Sequence, residues 1–458
     1  MRRHASCISS LVAALALLCI GGCSSASRPS GTPIDAATAH ATFEQVWKAV
    51  DTGDADATHG GVDWNRVKTE FEPRADACTT REQLRAVLDE MLARLGRSHF
   101  GISASRATAS SSTETSRTAR DPGTFGLTLR RLGDVVVVTD VREASPAAQA
   151  GVRRGWIVRH IDDSDPIAAT GDAPGHGPMA RYAPQAAAQA LDRGPADSSE
   201  RWVFIDAGAV EHRCTLKRVA MPDASAQFGA LTVPRATCSD QRLATDELAA
   251  LGVPTDLRIS VIAFNIWMPS IAGDIDAAID RHRDADGIVL DLRGNPGGVG
   301  AMSMGVAGHF HDAPDSLGTM RTRDTTLEFN VNPRRSTADG REVKPFVGPL
   351  VILVDPLTAS TSEIFAAGLQ SLGRAKVVGR ASAGAALPAQ MRELPSGDVL
   401  LFAFADFTTP DGRHIEGAGV QPDEPCGEQP AAWASGIDPD MQTAARRISS
   451  MLRDRDCH

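Results

Sequence analysis

Pro349-Leu-Val-Ile-Leu-Val-Asp-Pro-Leu-Thr-Ala-Ser360-Thr-Ser-Glu-Ile-Phe-Ala-Ala-Gly368 is a buried strand, a tight turn and a helix in succession. Pro349 to Val354 is apolar without alternation, as a strand covered on both faces must be. Asp355-Pro356 ends it, and the helix begins at Ser360 or just after. A hydroxyl held at a helix N-terminus meets free backbone N–H groups and the positive end of the helix dipole, both of which favour a developing anion. Taken alone, Ser360 or Ser362 is a helix cap. Other strand-length runs flank this one: Ile259 to Phe264, Gly287 to Leu292 and Val399 to Phe404. Helical stretches at Ile271 to Arg283 and Ser362 to Leu372 lie between them, which predicts an α/β layer arrangement over about 225–430 with a largely buried sheet.

Gly287-Ile-Val-Leu-Asp-Leu-Arg-Gly-Asn-Pro-Gly297-Gly298 is a second strand ending in a glycine-rich loop, where unencumbered N–H groups can approach a negative charge. No Gly-Lys-Ser/Thr follows, so it is not a phosphate loop. Together the Asp-Leu-Arg-x-Asn-x-Gly-Gly and Thr-Ala-Ser-x-Ser-Glu motifs resemble the C-terminal processing (tail-specific) and tricorn-core serine peptidases. The resemblance implies an α/β core of the ClpP/crotonase-like kind, with Ser360 as nucleophile. It also implies an oxyanion hole from Gly297 and the N–H of Thr361. Tail-specific relatives use a lysine in a downstream Gly-Lys-Gly turn as base. The corresponding turn here, Gly379 to Pro388, has Ala385 in that place, and Lys376 falls in the strand before it. The tricorn branch instead uses a Ser-His pair upstream and a Glu downstream. Leu95-Gly-Arg-Ser98-His99-Phe-Gly101 resembles the first and His414-Ile-Glu416-Gly resembles the second. In that arrangement His99 is the base, oriented by Ser98, which Glu416 holds in turn. His414 is the rival base, and Asp406 and Asp411 are the rival orienters. Glu363 is expected to support the helix N-terminus, and Arg293 and Asn295 to shape the glycine loop.

The rest of the chain organises around this core as a multi-domain α/β protein, and its 458 residues suggest about three domains. Residues 38–102 read as a helical N-terminal subdomain. Phe43, Val46, Trp47 and Val50 recur at helical spacing, as do Leu84 to Leu95 behind a capping signal at Thr79-Thr80-Arg81-Glu82. A Ser/Thr/Ala/Arg linker, 103–121, has no apolar periodicity. Residues 122–218 turn to β structure, and Ser145-Pro-Ala-Ala-Gln-Ala-Gly-Val152 followed by Gly155-Trp-Ile-Val-Arg-His-Ile161 resembles a PDZ-like β domain of bacterial proteases. That resemblance implies that Phe125, Gly126 and Leu127 form a carboxylate-binding loop able to capture or gate substrate chain termini. Residues 431–458 read as a C-terminal helical tail.

Arg2 and Arg3 followed by an apolar run from Ile8 to Ile20 predict a signal peptide over 1–22, the run being shorter than a membrane span. Ile20-Gly-Gly-Cys23 resembles a bacterial lipobox. Cys23 would then carry lipid, 23–37 would be a tether, and the protein would be exported and anchored to the cell envelope. Five cysteines remain after Cys7, Cys19 and Cys23, and short loops suggest the pairs Cys214–Cys238 and Cys426–Cys457. A charge of −10 with no basic run excludes nucleic acid as a partner. Neither CxxC nor HExxH occurs, so no metal and no cofactor is expected. The expected partners are protein or peptide substrates and, through the anchor, a membrane. Two alternatives stay open: a catalytically inactive binding protein of the same fold, and a PDZ adaptor.

Overall fold

A computed structural model describes residues 31–104, 122–171, 178–221, 225–228, 231–337 and 339–456. The signal peptide, Cys23, nearly all of the linker and Cys457 lie outside the described residues.

The core is a six-stranded sheet in the order Cys238–Arg242, Ile259–Phe264, Gly287–Asp291, Leu350–Val354, Lys376–Gly379 and Glu424–Pro425. Its first pair is antiparallel and the rest are parallel, with Leu290 opposite Ile352 and Val354 opposite Gly379. Successive side chains of a strand point to opposite faces, and the sheet is covered on both. Ile352 and Val354 face helices Ala272–Arg281 and Thr361–Ser371 through Ile275, Ile279, Phe365 and Leu369. Val351 and Leu353 face helices Thr245–Leu251 and Pro439–Asp456 through Leu248, Ala444, Ala445 and Ile448. The segment expected as a tail is therefore one of the layers that closes the core.

The strand expected at Val399 to Phe404 forms as Val399–Ala403 but joins a different sheet. It lies between Gly101–Ser103 and Ala389–Glu393, antiparallel to both, with Ile102 opposite Leu400. Leu400 and Phe402 are fully buried against helices Ala36–Gly53, Trp64–Asp76 and Arg81–Ala93. This sheet welds the N-terminal helices to the core. Thr80 caps the third helix, its hydroxyl accepting from Gln83 N–H while the Gln83 side chain accepts from Thr80 N–H. The end of the expected tether is pinned too, since Ile34 N–H donates to the Thr79 carbonyl at 3.1 Å and the first helix already begins at Ala36.

Residues 122–221 form a five-stranded antiparallel sheet in the order Leu127–Leu132, Val135–Val141, Ile157–Ile161, Ser199–Ile205, Glu211–Lys217. The expected short helix forms over Pro146–Gln149, and a longer one, Pro178–Ala190, packs beside the first strand. This domain meets the core through ion pairs: Arg130 lies 3.7 Å from Asp355 and 3.6 Å from Asp440, and Arg154 lies 3.3 Å from Asp438. Cys78, Cys214, Cys238 and Cys426 are free thiols. The suggested Cys214–Cys238 bridge is not formed, because the two residues belong to the sheets of different domains.

Candidate active site

Ser360 sits where the central strand Leu350–Val354 has turned back into helix Thr361–Ser371. Its backbone is held at φ 56°, ψ −123°, a region that a non-glycine residue enters only when its surroundings impose it. The constraint is visible. Ser360 N–H donates to the Ala385 carbonyl at 2.8 Å and to Glu363 Oε2 at 3.0 Å. Glu363 is fully buried and also accepts from the Ser382 hydroxyl and from the N–H groups of Gly384 and Ala385, at 2.5, 2.7 and 2.9 Å. Burial pushes its carboxyl up to about 7, against the pull of these four hydrogen bonds. Glu363 thus ties the Ser360 turn to loop 382–385, which carries Ala385 and no lysine. Lys376 instead pairs with Asp423 at 3.0 Å.

The glycine loop approaches the same turn. A Cβ at Gly297 would stand 2.5 Å from Ser360 Cβ, so only glycine, here at φ 97°, allows the approach. Its N–H, however, donates to Asn295 Oδ1 at 3.0 Å, while Asn295 Nδ2 donates to the Phe264 carbonyl at 2.8 Å. The N–H groups of Gly298 and Thr361 have no acceptor among the described residues. Gly298 lines the cleft beside Ser360 and Thr361, and its carbonyl accepts from the Thr361 hydroxyl at 2.9 Å. The Gly297 N–H is thus engaged within the loop, while that of Gly298, its neighbour in the glycine pair, has no such partner among the described residues. The doubled glycine was the signal, but it could not say which N–H is spent on Asn295. Arg293 turns away from the cleft into Asp291, Asp438 and Asp440, bracing the loop from behind.

On the opposite wall stands His99, also at positive φ (61°). Ser98 Oγ lies 2.7 Å from His99 Nδ1 and 2.9 Å from Glu416 Oε2, and Ser98 N–H donates to Glu416 Oε1 at 2.8 Å. Glu416 also accepts from Ala386 N–H at 3.0 Å. A carboxylate can only accept. Ser98 O–H therefore donates to Glu416, its oxygen accepts from Nδ1–H of His99, and Nε2 is left with its lone pair. Burial lowers the His99 pKa to about 4 and raises that of Glu416. The imidazole is thus neutral at physiological pH. Among the described residues Ser360 Oγ has no hydrogen-bond partner. His99 and Ser360 share one cleft of about 630 Å³, lined further by Met304, Leu327, Phe329 and Ile364.

The rivals stand elsewhere. His414 is exposed and 3.3 Å from Asp406, and Asp411 holds Thr409 and Arg413. Among the described residues one group, His40, Glu44 and Glu72, brings three ligand atoms together. It lies on the N-terminal helices, with His40 already on Asp76 and Glu44 on Lys68. Among the described residues no helix is long and apolar enough to cross a membrane.

Comparisons with known proteins fall on the same parts of the chain. Residues 258–426 match Peptidase family S41, and residues 35–93 match the Tricorn protease C1 domain. The "Probable CtpA-like serine protease" of Staphylococcus haemolyticus (strain JCSC1435) is 32% identical over 168 residues, 36% of this chain and 33% of that protein. The chain thus spans about a third of the length of the curated relatives it matches. Among solved structures, the photosystem II D1 C-terminal processing protease aligns with 90% of this chain and 97% of its own at a TM-score of 0.52 and 21% identity. Mature CPAF aligns with 92% and 98% at 0.59 and 13% identity. The mixed α/β fold is shared with both.

Proposed function

We propose, from a core matching Peptidase family S41 over residues 258–426, that this chain is a serine endopeptidase of the Ser-His branch that cleaves protein substrates through an acyl-enzyme. The observation that carries the reading is the chain Glu416–Ser98–His99, which leaves Nε2 free in the cleft that also holds Ser360. In the first half-reaction Ser360 Oγ bonds to the scissile carbonyl carbon while His99 Nε2 takes the hydroxyl proton. The oxyanion receives the N–H groups of Gly298 and Thr361, each donor being worth about 10²–10³ in rate. Collapse expels the amine, which takes the proton from Nε2, and a water repeats the sequence to release the acid. Glu416, which accepts from the Ser98 hydroxyl and from the N–H groups of Ser98 and Ala386, stabilises the transient imidazolium through Ser98. The apolar cleft walls suit an extended apolar segment of substrate. We read residues 122–218 as a PDZ-like domain and the protein as exported and lipid-anchored through Cys23. The sequence motifs support both readings, and a Cys23→Ala protein is expected to leave the membrane fraction.

The test is covalent labelling by a fluorophosphonate, which reacts with activated serines. Wild type and Lys376→Ala should label, while Ser360→Ala and His99→Ala should not. Retained labelling in His99→Ala would remove the proposed base. A folded wild type that neither labels nor cleaves an unstructured protein would favour a binding role for the cleft.

A further inference from the structure

The sheet of residues 122–221 ends on strand Leu127–Leu132, whose one strand neighbour among the described residues is Val135–Val141. An edge strand presents a row of unpaired N–H and C=O groups, onto which an extended peptide can add as a further strand. Here the chain occupies that place itself. Gln189, on helix Pro178–Ala190, accepts from Leu129 N–H at 3.1 Å and donates to the Leu127 carbonyl at 3.3 Å. Gln185 accepts from Arg131 N–H at 3.1 Å and donates to the Arg131 carbonyl at 2.6 Å. A primary amide carries the same donor and acceptor as a peptide group, so each glutamine substitutes for one peptide unit of an added strand.

Asp192 completes the imitation. Its carboxylate accepts from Phe125 N–H at 3.1 Å, from Leu127 N–H at 2.9 Å and from the Thr124 hydroxyl. Gly126 N–H donates to Thr124 Oγ1 at 2.9 Å. Every N–H of the loop expected to capture a terminal carboxylate is therefore engaged from within. Asp192 is 1% exposed, so these groups are closed off from solvent.

The same helix touches the catalytic loops. Arg181 precedes Gln185 by four residues and Gln189 by eight, which puts all three along one side of the helix. Its guanidinium donates to the carbonyls of Ala383 and Gly417, at 3.3 and 2.8 Å. Ala383 belongs to the loop whose Ala385 carbonyl receives Ser360 N–H, and Gly417 follows Glu416.

We propose that Gln185, Gln189 and Asp192 form a built-in pseudo-ligand that closes this edge to chain termini, and that the helix so anchored uses Arg181 as a positioning residue for the loops of Ser360 and Glu416. Substrate is then chosen by the catalytic cleft and not by tail capture at this edge. A peptide that displaced the glutamines would draw Arg181 off the site. The second half rests on the peptidase reading, while the first does not.

The edge is tested on the full chain carrying Ser360→Ala, so that catalysis plays no part. Hydrogen exchange at Leu129 and Arg131 should be slow and should speed markedly when Gln185→Ala and Gln189→Ala are added. Equal protection in both proteins would overturn the cap. A fluorescein-labelled decapeptide with an apolar last residue and a free carboxylate should bind no better than its C-terminal amide. Carboxylate-dependent binding, tighter by about tenfold or more, would also overturn it. For the positioning role, Arg181→Ala should slow fluorophosphonate labelling and lower kcat by about tenfold or more at nearly constant KM, and Arg181→Lys should recover part of the loss. Unchanged labelling in Arg181→Ala would remove that role. A wild type that never labels would count against the peptidase reading and leave exchange and binding to decide the edge.

Discussion

At the scale of single residues, the proposed chemistry depends on which way one imidazole is held. Ser98 stands between a carboxylate and Nδ1, so Ser98→Ala breaks the link and frees the ring to take the wrong tautomer. The expected outcome is a fall in fluorophosphonate labelling on the order of 10²-fold, with Glu416→Gln similar. The burial that sets His99 near 4 also sets a pH profile. A depressed pKa keeps the base form as pH falls, so the labelling rate should stay flat from about pH 8 to about pH 5.5 and decline only as pH approaches 4. An inflection between 6 and 7 would contradict the assignment. Stability follows the same sign. The unfolded chain protonates this histidine at about 6.5, so acidification from about 6.5 to about 4 favours unfolding. His99→Gln should lose less Tm than wild type across that window.

At the scale of elements, the turn at Ser360 is held by one buried carboxylate. Glu363→Gln keeps the shape but sets an NH2 group against one pair of donors, Ser360 and Ala385 on Oε2 or Ser382 and Gly384 on Oε1. A loss of about 1–3 kcal/mol is expected from an unsatisfied buried group, measured as a lower urea midpoint together with slower labelling. Gly297→Ala should be more severe for activity than for folding, since its new methyl would press on the Ser360 side chain. Retention of full labelling in that variant would show that the turn can yield. The helix start at Ser360 was legible from its motif because strand, breaker and helix lie in one stretch of chain. Helix Pro178–Ala190 was not, because its glutamines acquire meaning only beside a strand 54 to 62 residues away.

At the scale of the whole molecule, the proposed activity draws on two pieces of chain far apart in sequence. His99 arrives with the N-terminal helices and Ser360 with the core, and strand Val399–Ala403 binds one to the other. Phe402→Ala empties a fully buried ring site in that junction and should cost roughly 3–5 kcal/mol. Labelling should fall because His99 is no longer held opposite Ser360. Near-UV circular dichroism and labelling followed together in urea would report both effects. Loss of stability with labelling intact at low urea would mean that the junction does not govern the site.

Ser360, His99, Ser98 and Glu416 were all legible as candidates from the chain alone, as were the strand–turn–helix core and the missing lysine. Each is written in a short motif whose spacing is local chemistry. Folding contributed what depends on distant partners. It set Val399–Ala403 against Gly101–Ser103 and made the C-terminal helix a layer of the core. It left Cys214 and Cys238 apart, and filled the edge at Leu127–Leu132 from within. The physical reason is the same in each case. A hydrogen bond or a buried contact between residues far apart in sequence leaves no periodicity in either segment. The sequence names the groups that can react, and packing decides which of their N–H and C=O groups remain free.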